Sequence, residues 1–360
     1  MTNINNFTAK KIAIAIVAYN SVEKLPDCLA SLAVQDYPAE SIEFIFVDNA
    51  STDNSLEIIN NFFPLARVIK NQNNIGFAGG NNQAYELAND LNVDYLVLLN
   101  DDTIVDPAWL KNLIALAETD PQIGAVQAKL LLWPEKNLIN SYGNALTFLG
   151  FGYCNDYRQP DKSGLPAGQA GDPFEVPYPS GGAAAIKMRA LEKIGLFDDK
   201  LFMYHEDVDL GWRLRLLGYK VLLNPQAVVY HKYSFAKASY KYYYMERNRL
   251  FVTLKNFRWP TLLIFYPAFK LMELGLCFYA VKNGWGREKI RGYFWLIKNW
   301  RYLFLQRQKI QKLRQVSDQE ILRLFTASIK FQDINNPLLS KFVNPIMEAY
   351  FWLAKKMIFW

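Results

Sequence analysis

The chain reads as an α/β protein, a mostly parallel sheet flanked by helices, with a further helical region at the C-terminal end. Three observations carry this reading. Short Ile- and Val-rich runs alternate with helix-spaced apolar residues through the first third of the chain. Each run stops at a polar cluster. Beyond Lys232 the composition turns basic and aromatic. Alternation of strand and helix is the pattern of parallel strands joined by crossover helices.

The elements follow in order. Lys11 to Tyr19 (KIAIAIVAY) is rich in Ile and Val, ends abruptly at Asn20-Ser21 and reads as a buried parallel strand. Glu23 to Gln35 repeats Leu25, Cys28, Leu29 and Leu32 at helical spacing. Ile42 to Val47 is a second strand, Ser55 to Phe63 a helix and Ala66 to Lys70 a short strand. Asn71 to Asn82 is a loop dense in Gly and Asn, leading into a helix that runs to about Leu91. Tyr95 to Leu99 is the fourth strand. Trp133 to Pro179 is irregular and rich in Gly, Pro and Tyr, the character of a binding region or lid. After the small-residue segment Ser180 to Ile186, a helical run covers Gly211 to Leu217. Lys220 to Asn224 and Ala227 to His231 read as two short strands.

Composition narrows the class. With 360 residues, 51% of them hydrophobic, the chain is long enough for a large core and about two domains. Cys28, Cys154 and Cys277 are odd in number and scattered, which fits neither a disulfide framework nor a zinc site. The N-terminal residues lack the layout of a signal peptide, so the start of the chain is expected to stay in the cytoplasm. From Lys232 onward there are 23 Lys and Arg against 7 Asp and Glu, a net +16, and the remainder carries −10. That tail also holds 29 of the 54 aromatic residues. A basic, aromatic tail on an acidic body implies two different partners.

In parallel sheets ligands bind beyond the carboxyl ends of the strands. Asn20, Asp48-Asn49, Asn73-Asn74 and Asp101-Asp102 all stand at such ends. Adjacent carboxylates at Asp101-Asp102 repel each other, and a divalent cation with a preference for oxygen, Mg2+ or Mn2+, offsets that cost. The competing reading is a helix cap near Pro107. His231, at the end of an apolar strand, is a candidate further ligand as a neutral imidazole. Glu206-Asp207-Val208-Asp209 crowds three carboxylates before a helix. Capping needs fewer, and crowding raises at least one pKa, as suits a general base. Gly76, Gly79 and Gly80 do not form a GxGxxG fingerprint, and no GxxxxGK[ST] occurs, which excludes the common dinucleotide and P-loop cradles.

Taken together, IAIVAYN, FVDNASTDNS, NDD and HEDVDLGWRLRLLGY resemble glycosyltransferase family 2 over roughly Lys11 to His231. NIGFAGGNN, YPSGGAAAIK and YYMERNRL look most like its bacterial rhamnosyltransferase branch. The resemblance implies a Rossmann-like GT-A domain over 1–231, with a nucleotide-binding part to about residue 105 and an acceptor-binding part after it. It implies an inverting, metal-dependent transfer from a nucleotide diphosphate sugar, dTDP-rhamnose or a UDP-sugar, to a lipid-linked or growing glycan. Ala18 and Tyr19 would line the nucleotide, and Asp48 or Asn49 would read the pyrimidine. Asn20, Asp53, Asn74, Gly76, Phe77, Gly80, Asn81 and Asp101 would complete that site. Asp102 and His231 would hold the metal, although Asn100 departs from the acidic residue that usually opens the metal motif. Asp207 would be the base, with Glu206 beside it on the acceptor. Ser180, Gly181, Gly182, Trp212 and Arg213 would line the sugar or acceptor pocket, with Arg213 or Arg215 steadying the phosphates or the base.

The tail, 232–360, is expected to be helical and to lie on the inner face of the cell membrane. Trp259 to Phe269 and Leu274 to Val281 are apolar, but Lys270 and Glu273 divide them, and neither piece is long enough to span a bilayer. Flanking Lys, Arg and Trp are the mix of an interfacial helix on anionic lipid. No nucleic-acid motif accompanies the charge. A homo-oligomer is compatible with the sequence, and a non-catalytic sugar-nucleotide-binding protein is the competing class.

Overall fold

In the computed structural model, residues 9–161, 171–233, 238–330, 337 and 339–360 are described. The polar N-terminal residues 1–8 and part of the irregular segment, 162–170, lie outside them. The first half alternates as expected: β1 (Ile12–Ala18), α1 (Leu25–Leu32), β2 (Ile42–Asp48), α2 (Ser55–Phe62), β3 (Arg67–Lys70), α3 (Gly76–Asp90) and β4 (Tyr95–Leu99). The Gly/Asn segment is shorter as a loop than the sequence implied, because α3 already begins at Gly76. Next come β5 (Thr103–Val105), α4 (Trp109–Ala117) and β6 (Ile123–Leu132). Among its described residues the irregular stretch contributes the short strands β7 (Ile139–Ser141), β8 (Asn144–Leu146), β9 (Gly152–Cys154) and β10 (Phe174–Glu175). Then follow β11 (Ala183–Lys187), α5 (Met188–Ile194), α6 (Glu206–Leu216) and β12 (Lys220–His231).

The main sheet runs β10-β12-β6-β11-β4-β1-β2-β3. Strands β3, β2, β1 and β4 are mutually parallel, so their carboxyl ends share one edge. Beyond β4 the sheet is mixed, since β11 runs antiparallel to both β4 and β6. The expected pair of short strands before His231 is a single strand, β12, with a register shift between Asn224 and Val228 that takes up Pro225.

The alternation Ile12-Ala13-Ile14-Ala15-Ile16 decides how the layers sit. The three isoleucines face a core with Leu25 and Leu29 of α1 and Trp109 and Leu113 of α4. The alanines face the other side, where Ala78, Ala84 and Ala88 of α3 pack. Small residues there let α3 lie close, and a Cβ at Gly80 would stand 2.8 Å from Val17 Cγ1.

The C-terminal region is helical: α7 (Ser239–Asn256), α8 (Trp259–Lys282), α9 (Gly286–Lys298), α10 (Trp300–Leu313), α11 (Asp318–Ile321) and α12 (Asn344–Met357). It shares a third core with the α/β body, in which Trp212 of α6 meets Phe257 and Phe325 edge-on. The two apolar pieces expected to be separate form one helix, α8, of 24 residues, which is long and apolar enough to cross a membrane by those criteria alone. Glu273 does not interrupt it, because the carboxylate turns inward onto Arg249 of α7 and Lys289 of α9.

Candidate active site

The strand order places the site. Tyr19 and Asn20 follow β1, Asp48-Asn49 end β2, and Asn100-Asp101-Asp102 follow β4, all on one edge. Tyr19 is half exposed there, with its ring free to meet a ligand, while the Ala18 side chain is fully buried. The side-chain oxygen of Asn20 accepts from Thr52 N at 2.8 Å, tying the loop after β1 to the loop after β2. Asp53 extends the same stitch, accepting from Val22 N and Ser55 N, so it shapes the loop rather than lining the cleft.

The structure separates Asp48 from Asn49. The Asn49 amide donates to Asn74 Oδ1 at 3.0 Å and to the Gly76 carbonyl at 3.1 Å. Its oxygen accepts from Asn71 Nδ2 and Ile75 N, both at 3.1 Å. Two donors and two acceptor positions are thereby used, and the side chain has no capacity left for a base. Asp48 Oδ1 accepts from Ser51 N at 3.0 Å, which leaves its second oxygen open. Asn74, which is exposed, and buried Gly76 belong to the turn that Asn49 anchors. Gly76 has φ +82°, and a Cβ on it would lie 2.4 Å from the Phe202 carbonyl oxygen.

Several residues expected to touch ligand are structural instead. Gly80 packs on Val17, and buried Asn81 donates to the Phe77 carbonyl one turn back. Trp212 is core. Arg213 is buried against Asp209 at 2.7 Å and against the carbonyls of Ile194 and Gly195. Arg215 binds Glu175 and the carbonyls of Val176 and Val221. All three lie on inward turns of α6, a helix buried nearly all round, so proximity to Asp207 in sequence misleads.

Asp101 and Asp102 part company after β4. The helix-cap alternative fails, because β5 intervenes before α4. Asp101 accepts from the Ser21 hydroxyl, and burial followed by the Asp102 charge raises its carboxyl to about 6. Asp102 Oδ1 lies 3.0 Å from His231 Nε2, placed there because β5 pairs with the end of β12. Although burial pushes the other way, the bond and charge of His231 hold Asp102 below the ordinary carboxylate range. His231 Nδ1 lies 2.9 Å from Asn140 Oδ1. An amide oxygen only accepts, so Nδ1 carries the hydrogen and Nε2 turns its remaining valence on Asp102. Two acceptors facing each other call for either a second ring proton or a shared cation. Their separation also matches the edge of an octahedron with metal–ligand distances of about 2.1 Å. Asp102 and His231 therefore fit a divalent cation. Among the described residues no cluster of three or more His, Cys, Asp or Glu is arranged to hold a metal.

The Ser180–Gly182 turn connects this end of β4 to α6. Gly182 accepts from Asn100 N at 3.0 Å. Ser180 N donates to Gln127 Oε1 at 2.9 Å. A Cβ on Gly181 would stand 3.2 Å from the Phe77 ring and 3.9 Å from Asp207 Cβ. Asp207 is half-buried, with Oδ1 accepting from its neighbour Val208 N at 2.7 Å. Glu206 is buried, and its Oε2 has no partner. Burial raises both carboxyls, and the Asp207 charge pushes Glu206 further. His205 is half-buried with Nε2 3.1 Å from the Gly150 carbonyl, and desolvation takes its imidazole down to about 4, which keeps it neutral. Sequence reasoning missed Asn140 and Gln127, since neither stands in a motif and only the fold brings them to His231 and Ser180.

The family model described as glycosyl transferase family 2 matches residues 13–195, just over half of the chain. The chain belongs to glycosyl transferase family 2, and it is a transferase enzyme. The match takes in Asp101, Asp102 and the Ser180–Gly182 turn, whereas Glu206, Asp207 and His231 lie beyond it. N-acetylglucosaminyl-diphospho-decaprenol L-rhamnosyltransferase of Mycobacterium tuberculosis is 26% identical over 243 residues, covering 61% of this chain and 75% of that protein. Poly-beta-1,6-N-acetyl-D-glucosamine synthase of Staphylococcus aureus is 27% identical over 231 residues, 63% of this chain but only 51% of the synthase. Among solved structures, GalNAc-T7 with UDP, GalNAc and Mn2+ superposes with a TM-score of 0.55 at 18% identity, covering 69% of this chain and 48% of that one. The mannosyltransferase PcManGT from Pyrobaculum calidifontis, with GDP-Man and Mn2+, gives 0.51 at 15% identity over 98% of this chain and 87% of that one. These likenesses establish the GT-A-like fold.

Proposed function

We propose that this glycosyltransferase is inverting and metal-dependent, and that it moves L-rhamnose from dTDP-rhamnose to a hydroxyl of a lipid-linked or growing glycan. One observation carries the mechanism: the Ser180–Gly182 turn bonds to Asn100, two residues before Asp102 of the Asp102–His231 pair, and lies against Asp207. The open oxygen of Asp48 accepts from a pyrimidine N3–H, with Tyr19 against the ring. Asp102 and His231 would hold the divalent cation, which supplies charge neutralisation to a departing nucleoside diphosphate. Asp207 takes the proton from the acceptor hydroxyl as that oxygen attacks the anomeric carbon from the face opposite the leaving group. A single displacement inverts the configuration. Glu206, kept protonated by burial and by the neighbouring charge, offers a hydrogen bond to the acceptor. A UDP-sugar donor is the second reading, because uracil and thymine present the same N3–H to Asp48.

The test uses a panel of sugar nucleotides with and without Mn2+. Asp207→Asn is expected to retain nucleotide affinity and to lose about 10² to 10⁴-fold in turnover. In the wild type, turnover should fall on an acid limb lying above the ordinary carboxylate range, since Asp207 must ionise and its carboxyl is raised. Full activity of Asp207→Asn would remove the base assignment.

We also propose that the helical tail lies on the cytoplasmic face of an anionic membrane. Along α8 the exposed side is apolar, with Trp259, Leu263, Tyr266, Leu274 and Phe278, and α9 adds Ile290, Phe294 and Ile297. The exposed cations Lys270, Arg287, Arg291, Lys298 and Arg301 accompany them, and the carboxylates Glu273 and Glu288 are paired and shielded. Apolar aromatics rimmed by cations match a lipid surface, whereas a second copy would set like charge against like.

A further inference from the structure

The loop before α6 is held in an unfavourable shape. Phe202, Tyr204 and His205 all have positive φ, at 63°, 65° and 66°. Phe202, with ψ −60°, forms a tight γ-turn closed by Met203 N to the Leu201 carbonyl at 2.7 Å. Such conformations persist only where surrounding contacts over-determine them. This loop delivers Glu206 and Asp207, which follow it directly.

What holds it comes from the tail. Asn248 of α7 is fully buried, and its amide nitrogen reaches the carbonyls of Leu201 at 2.9 Å, Met203 at 2.9 Å and Tyr204 at 2.7 Å. The left-handed residues turn these three carbonyls toward one point, where no backbone N–H of α7 is free to meet them. Arg247 fixes the amide by donating from Nε to Asn248 Oδ1 at 2.8 Å, and its guanidinium also reaches the Leu201 carbonyl at 2.9 Å. From the opposite side, Ala78 N of α3 holds the Phe202 carbonyl at 3.1 Å.

We infer that Arg247 and Asn248 are positioning residues: they lock the 201–205 loop and so fix Asp207 in the cleft, which makes the tail helix α7 part of the catalytic apparatus. The inference rests on the assignment of Asp207 as base. Asn248→Asp keeps the shape but replaces the donor with an oxygen facing three carbonyls. Turnover is expected to drop about 10²-fold, the scale of a misplaced reacting group, while UDP and dTDP affinity with Mn2+ stays within threefold. Amide hydrogen exchange over 201–207 should rise at the same time. Thr253→Ala, equally buried on α7 but with its hydroxyl bonded to the Arg249 carbonyl and not to the loop, is the stability control and should leave turnover unchanged. If Asn248→Asp does not fold, Arg247→Lys, which loses the bond to Asn248, decides, with an expected loss of about tenfold. A folded variant with unchanged loop exchange, or with turnover within twofold of wild type, overturns the inference. So does an equal loss in Thr253→Ala. Should Asp207→Asn remain active, the base assignment fails by itself, and loop exchange in Asn248→Asp still reports on the clamp.

Discussion

Replacing Asn49 by Asp tests how the structure divides labour between two adjacent residues. The amide at 49 donates two hydrogen bonds, at 3.0 and 3.1 Å, to Asn74 Oδ1 and the Gly76 carbonyl. A carboxylate there loses both, at about 1 kcal/mol each, and leaves two acceptors facing an anion for roughly 1–3 kcal/mol more. The expected destabilisation is therefore about 3–5 kcal/mol at neutral pH. Its sign with pH is determined. The new carboxyl, buried among acceptors, would titrate above its unfolded value of about 3.9. A raised folded pKa means the variant lies closest to wild type below the unfolded value, and the deficit opens as pH rises through the folded pKa. Urea unfolding across that range reads both effects. Nucleotide affinity should also weaken, because the 71–76 turn loses its anchor. Asp48→Asn should instead weaken nucleotide binding with little change in stability. A loss below about 1 kcal/mol for Asn49→Asp near pH 8 would refute the saturated-amide argument and return Asn49 to candidacy as the base reader.

Asn140→Leu removes the acceptor that orients His231, and Mn2+ affinity measured calorimetrically with UDP present should fall about 10 to 100-fold. Unchanged affinity would mean that His231 is oriented by other contacts or is no ligand. For the tail, the full chain should float with vesicles containing anionic lipid, and Phe278→Glu with Phe294→Glu should abolish flotation while leaving the fold intact. Wild-type protein that stays at the bottom of the gradient with every lipid mixture would end the membrane reading.

The strand runs, the polar clusters at their carboxyl ends and the acidic group were legible in the residue order, because each is a local pattern, although α6 starts at Glu206 and takes that group into its first turns. Period-two and helical spacing report which face is buried, and β1 shows it residue by residue in its Ile-Ala alternation. The same locality set the limits. Trp212, Arg213 and Arg215 neighbour Asp207 in sequence, yet α6 is buried nearly all round, so they serve the core and its carbonyls. Helical spacing cannot tell a ligand-facing turn from an inward one when no side of the helix is exposed. Lys270 and Glu273 break the apolar run in the sequence, and only the buried partners Arg249 and Lys289 explain how α8 carries Glu273 without interruption.

Family, fold class and the residue types available for chemistry were thus contained in the sequence. The tertiary structure alone decided which of them meet. Asp102 and His231 are 129 positions apart and come together because β5 pairs with β12. Asn248 reaches the loop before Asp207 from the tail. Side-chain hydrogen bonds depend on distance and direction in space, and the order of residues specifies neither until the sheet and helices have packed.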